Sequence, residues 1–180
     1  MNCQQVVARK GRLCEDMAST GDSKKCRCEG ESVSHHSPGV VHSHESLYRL
    51  IFSPQQIEPD GTRPNIRAFD DIFSIGLSVD RAGYLLPGQL NQLAESLIEI
   101  RRRREVHSCC EGYFILKVND IRNVFLNNER LLCIYDTSRS DRVSHADVCC
   151  TQIKPLGSEK SKIRNILCQI AGQLMAFNEN

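Results

Sequence analysis

The sequence predicts an α+β fold, a single mixed or mainly antiparallel sheet with a central amphipathic helix and a C-terminal helix. Three observations carry this. Short β-branched and aromatic runs recur along the chain. One stretch of strict helical period divides them, and a second closes the chain. The resulting order of strands, helix, strands, helix segregates the elements rather than alternating them, as α+β folds do.

The elements follow in order. Residues 1–44 are dominated by Ser, Gly, Lys, Glu, Cys and His without apolar periodicity, so they are expected to be a disordered or loosely ordered Cys/His-rich leader. A single domain is expected over 45–180. It begins with "ESLYRLIFS", 45–53, a strand that Pro54 stops. Pro59-Asp60-Gly61 reads as a turn. "NIRAFDDIFSI" is ambiguous and has room for one short helical turn, and "GLSVDR", 76–81, reads as a short strand. Leu90, Leu93, Ala94, Leu97 and Ile98 then recur at i, i+3, i+4, i+7 and i+8, one apolar helical stripe entered near Pro87.

Beyond that helix, "GYFILKV" (112–118), "RLLCIYD" (130–136) and "HADVCCTQI" (145–153) read as strands. "NDIRNVFL" reads as a short helix capped by Asn119. Ile163, Ile166, Leu167, Ile170, Leu174 and Phe177 form a second stripe, with Ser158 as its expected cap.

The totals narrow the function classes. The 180 residues carry 23 Lys plus Arg against 22 Asp plus Glu, so no global field recruits nucleic acid or an anionic membrane. There is no Trp, and aromatic residues make up 6%, which argues against a base-stacking platform. No apolar run reaches the roughly 18 residues of a membrane helix, and "MNCQQVVARKGRLCEDM" lacks the apolar core of a signal peptide. The chain is therefore expected to be cytoplasmic, without a membrane partner; a leaderless export route leaves no trace in sequence. Most of the ten cysteines are then expected to be reduced thiols, with Cys133, Cys149 and Cys168 in apolar surroundings.

Four groups of residues suggest chemistry. Cys26, Cys28, His35, His36, His42 and His44 offer zinc-type ligands as C-x-C, HH and H-x-H. C-x-C is tighter than the usual C-x(2–4)-C knuckle, and no apolar shell surrounds it. In "VSHADVCC", His145 and Asp147 share one strand face as a polar pair. His145 and Cys149 would lie about 13 Å apart on a strand, too far for a Cys–His nucleophilic pair. Arg101, Arg102, Arg103 and Arg104 end a helix, where cations complement its dipole; as a phosphate or RNA clamp they would fan around the axis. Tyr48 and Arg49 on one strand, with Ser78, Asp80 and Arg81 on another, place polar groups where a phosphate or ribose can be held, or where a half-exposed sheet simply alternates.

The series LYR (47–49), AF (68–69), LSVD (77–80), YFILKVNDIR (113–122) and SHAD (144–147) resembles a group of small uncharacterised bacterial proteins with a Tyr-Arg, Ala-Phe, Ser-Val-Asp and His-Ala pattern. The resemblance spans about 100 residues, from roughly 47 to 150, and transfers no activity. The chain also echoes ADP-ribosyltransferase-like toxins. Some of these open with a Leu-Tyr-Arg strand and carry a Ser on the next strand of the fold. That resemblance implies that Arg49 and Ser78 lie on strands cradling NAD. It further implies a catalytic Glu, yet no S-T-S and no well-placed Glu is present.

Three functional expectations result. The leading one is a bacterial accessory or regulatory protein that binds a protein partner, by analogy in a defence or mobile-element locus. Its alternative is an NAD-binding, ADP-ribosyltransferase-like toxin with Arg49, Ser78 and His145 in the pocket. The third is a zinc-stabilised nucleic-acid adaptor using residues 1–44 and Arg101–Arg104. No cofactor is required by the first; NAD and zinc belong to the other two.

Overall fold

The computed structural model describes residues 3–7, 11–19, 27–31, 34–152 and 155–177. Five antiparallel strands form the main sheet: β1 (Ser46–Ser53), β2 (Leu77–Arg81), β3 (Cys109–Lys117), β6 (Leu132–Asp136) and β7 (His145–Cys150). Their spatial order is β3-β1-β2-β7-β6. A separate hairpin joins β4 (Phe125–Leu126) to β5 (Glu129–Arg130). Its two-residue turn is Asn127-Asn128, both at positive φ (52° and 63°), which Asn tolerates better than most residues.

The period-2 pattern of the strands sorts residues to two faces. One face carries Leu47, Ile51, Val79, Leu116 and Val148 into the main core. The 3-10 run Ile66–Phe73 covers it, sending Ala68, Phe69 and Ile72 inward. So does α5 (Gly157–Ala171), through Ile163, Leu167 and Ala171. Phe69 and Phe114 are fully buried there, each worth about 1.5–3 kcal/mol of transfer free energy. The other face is shared. Over β1 and β3, α3 (Gln89–Arg102) packs Leu90, Leu93, Leu97 and Ile98 with Leu50 and Phe52. Over β6 and β7 sits the N-terminal segment.

Several sequence boundaries shift. The second stripe does not run as one helix to Phe177. Helix α5 ends at Ala171, and Gly172 at φ 66° turns the chain. Met175 then exchanges both backbone hydrogen bonds with Tyr113 (3.0 and 2.9 Å) on the free edge of β3. Leu156, not Ser158, takes the cap position, with its N–H held by Glu159 Oε2 at 2.8 Å. Asn119 lies inside α4 (Val118–Arg122), whose cap position falls on Lys117. Within the ambiguous 65–75 stretch, Ile66–Phe73 forms a 3-10 run longer than one turn; Asn65 starts it by accepting from Arg67 N–H at 3.0 Å.

Within residues 1–44 the described part is built onto the sheet. Helices α1 (Cys3–Val7) and α2 (Leu13–Ser19) and the 3-10 turn Arg27–Gly30 bury Val6, Leu13, Met17 and Cys28 against Cys133, Tyr135 and Cys149. Glu29 anchors the turn by ion pairs to Arg122 (2.9 Å) and Arg130 (2.8 Å). Cys3 and Cys28 form a disulfide, and Cys133 is also disulfide-bonded. The expectation of a reduced Cys133 is thereby corrected; Cys149 and Cys168 are free thiols. Composition concealed this docking because a few apolar residues and sulfur cross-links do the work that a periodic stripe does elsewhere.

Candidate functional site

Strand β2 lies between β1 and β7, so it sets the polar residues of three strands side by side. Ser78 pairs directly with Asp147 across the β2–β7 ladder, and Asp80 with His145. Partners across an antiparallel ladder point to the same face. Four candidates of the sequence therefore share one face at adjacent positions.

Their side chains divide into two groups. Ser78 Oγ lies 2.9 Å from His145 Nε2. His145 Nδ1 lies 3.2 Å from the Thr137 carbonyl and 2.8 Å from Thr137 Oγ1. A carbonyl only accepts, so the ring proton sits on Nδ1 and Nε2 is the acceptor for the Ser78 hydroxyl. Thr137 Oγ1 in turn donates to Asp147 Oδ2 at 2.6 Å. The result is a continuous chain Ser78–His145–Thr137–Asp147. Burial pushes the His145 imidazole below its ordinary value of 6.5, with Asp147 opposing that shift. The neutral ring the chain requires is thus the one its surroundings favour.

Asp80 belongs to a structural network instead. Its carboxylate takes both arms of Arg142, one at 2.7 Å, and the Ser144 hydroxyl at 2.8 Å. All three residues are buried. Next to it Arg81, fully buried, donates to Glu45 (2.8 and 2.7 Å), Asp136 (3.1 Å) and the carbonyls of Gly39 and Val40. These pairs fasten the 34–45 segment and the 137–144 loop to the sheet.

The hydrogen-bonded chain lines a cavity of about 700 Å³. Ser34, His35, His36, Ser138, Arg139 and Asp141 also line it, as do Gln4, Val7 and Leu13 of the N-terminal segment. That volume suits a small-molecule site of ordinary size.

The other sequence candidates scatter. Arg49 sits just beyond the last β1–β2 pair, Tyr48–Asp80. It gives its donors to the Ser78 carbonyl (2.9 Å) and the Ala68 carbonyl (3.1 Å), with Asp71 3.9 Å away. It does not reach the cavity. Tyr48 packs on Tyr113 at 4.8 Å between ring centres and lines a different groove, beside Leu86 and Phe177. The expected pocket of Arg49, Ser78 and His145 is therefore corrected: Ser78 and His145 line the cavity together with Asp147, and Arg49 does not.

The zinc-type ligands part as well. His42 and His44 stack on each other at 5.5 Å, His35 and His36 border the cavity, and Cys28 is bonded to Cys3. Cys26 lies outside the described residues. Among the described residues, in this sulfur-bonded state, no three His, Cys, Asp or Glu side chains are grouped to hold a metal. The arginines diverge too. Arg101 lies over the Phe52 ring at 4.1 Å, Arg102 donates to the Ser108 carbonyl at 3.1 Å, Arg103 pairs with Glu99 at 3.6 Å, and the Arg104 side chain is exposed. Such a fan is no clamp. Among the described residues no helix is long and apolar enough to cross a membrane.

The sequence does not single out Thr137, Ser138 or Arg142. The one signal for them was the density of polar side chains in "DTSRSDRVSHAD", 136–147. Comparison with protein-family models, curated proteins and solved structures finds no match to this chain.

Proposed function

We propose that the chain is an ADP-ribosyltransferase-type enzyme that binds NAD in the 700 Å³ cavity. The observation that carries this reading is the hydrogen-bonded chain Ser78–His145–Thr137–Asp147 that lines it. One further fact supports it. The cavity also offers what a dinucleotide asks for: hydroxyl partners at Ser78 and Ser138, a carboxylate at Asp147, and nitrogen donors at Arg139, His35 and His36.

The chemistry assigns each group one task. The bond between ribose C1′ and the nicotinamide nitrogen breaks, and its electron pair leaves with nicotinamide. The Asp147 carboxylate stabilises the cationic ribosyl centre that develops, in place of the Glu usual to the resembling toxins. A hydroxyl, amine or water then bonds to C1′. Its proton passes to Ser78 Oγ as Ser78 hands its own to His145 Nε2. Arg49 takes no part in cradling the nucleotide; it holds β1 and β2 in place.

Nicotinamide release from NAD tests this. Wild type should consume NAD, and Asp147→Asn and His145→Ala should each slow it by about 10²-fold or more with the far-UV spectrum unchanged. If wild type neither binds nor consumes NAD, the reading falls. Capture of a stable protein partner by full-length chain would then favour the accessory-protein reading.

A further inference from the structure

Half of the ten cysteines meet on one face of the sheet. Cys3, Cys14, Cys28, Cys133 and Cys149 come from five separate elements into one buried cluster, completed by Val6, Leu13, Met17 and Tyr135. Packing alone does not ask for this, since Ala or Val fills such space as well. Cys3, Cys28 and Cys133 are engaged through their sulfurs. Cys14 and Cys149 are thiols that interact with each other.

Two features bear on what holds this cluster. The first is what it fastens. The described N-terminal helices bring few apolar side chains to the sheet, chiefly Val6, Leu13 and Met17. So small an apolar contact needs a cross-link, and both a disulfide and a metal supply one. The second is the mixed state of the sulfurs. Two neighbouring thiols persist beside a disulfide, and the exposed Cys109 is a thiol as well. Cys14 and Cys149 are buried and attack that bond slowly, but an external reductant that reaches the Cys3–Cys28 bond opens it. A thiolate–metal cross-link is stable under those same conditions.

We propose that in the reduced protein Cys3, Cys28 and Cys133 bind one thiophilic dication, of which zinc is the commonest in tetrahedral thiolate sites. The Cys3 and Cys28 Cα atoms are 6.0 Å apart. Two sulfurs on one tetrahedral zinc stand roughly 3.8 Å from each other, which that backbone separation allows. A further sulfur or a water takes the fourth position. The steps balance. A dithiol reductant gives two electrons and two protons to each disulfide and is itself oxidised to a disulfide. The dication then displaces one proton from each thiol it binds. Its place in the fold gives the metal a consequence: the N-terminal segment it ties to β6 carries Gln4, Val7 and Leu13, one wall of the large cavity. The site stands whether or not that cavity takes NAD.

Elemental analysis of full-length protein purified under a phosphine reductant tests this. About one zinc per chain is expected, falling at least severalfold in Cys28→Ser and Cys133→Ser but not in Cys168→Ser. On wild type alone, a zinc chelator should lower the melting temperature and hasten proteolysis within residues 1–30. No zinc in the reduced wild type overturns the proposal. So does zinc that Cys28→Ser and Cys133→Ser both retain, or a Cys3–Cys28 disulfide that mass spectrometry finds intact under the same reductant. Should the serine variants fail to fold, the chelator response of wild type decides.

Discussion

Arg49 meets Ser78 through the main chain: its Nη1 donates to the Ser78 carbonyl at 2.9 Å. The β1–β2 ladder ends at the pair Tyr48–Asp80, so this carbonyl lacks the strand partner it would otherwise have. Arg49 supplies the missing donor, and a second to Ala68. Burial brings its guanidinium down to about 10, with Asp71 opposing the shift, so it remains charged at neutral pH. Arg49→Met keeps the bulk but strands two buried carbonyls. It should cost about 2–4 kcal/mol in urea unfolding. NAD affinity per folded molecule should change little, because no ligand-facing group is lost.

Acid should weaken the protein through His145. Its folded value is depressed below 6.5 by burial, so the unfolded state binds the proton more readily. The stability this neutral ring contributes is fully present above pH 6.5 and is lost as pH falls through the lower folded value. Melting temperature against pH should decline below about 6.5 more steeply in wild type than in His145→Gln. Turnover should fall only at lower pH, as the ring protonates in the folded protein, since protonated Nε2 no longer accepts from Ser78.

The Asp80–Arg142 pair should behave as a buried ion pair whose halves depend on each other. Both residues are buried, and Ser144 adds a third bond. Asp80→Ala leaves the Arg142 charge without its partner and should cost about 3–5 kcal/mol. Asp80→Ala/Arg142→Met should recover part of that loss. Paired denaturation curves, read as a double-mutant cycle, check both statements.

Gly76 sets the distance between β2 and Asp147. It has φ +93°, and a Cβ there would lie 2.9 Å from Asp147 Cβ. Gly76→Ala should therefore displace Asp147 from Thr137 and cost about 1–3 kcal/mol. NAD turnover should drop beyond what the folded fraction explains. Gly83→Ala, with open space around it and no positive φ, is the control, expected within about 0.5 kcal/mol of wild type.

Local pattern made much of this molecule legible. The five strand runs, the α3 stripe and the α+β class are visible because side-chain periodicity reports which face each residue shows to a core. His145 and Asp147 were readable as a same-face pair for the same reason. Boundaries that depend on backbone conformation were less so. The α5 stripe continues in sequence past Gly172, but the chain turns there to place Met175 on β3.

The sequence by itself determined the strand and helix periods, the near-neutral charge and the supply of polar residues. Tertiary structure alone decided which of these residues meet. Ser78 and Asp147 are neighbours only because β7 pairs with β2, and Thr137 enters because the loop before β7 folds back over it. The cysteines at 3, 28 and 133 converge only because the N-terminal helices dock on β6 and β7. The physical reason is range: periodicity arises from bonds between neighbours in the chain, whereas a site arises from pairings many residues apart, whose loop-closure cost is repaid only by the assembled core.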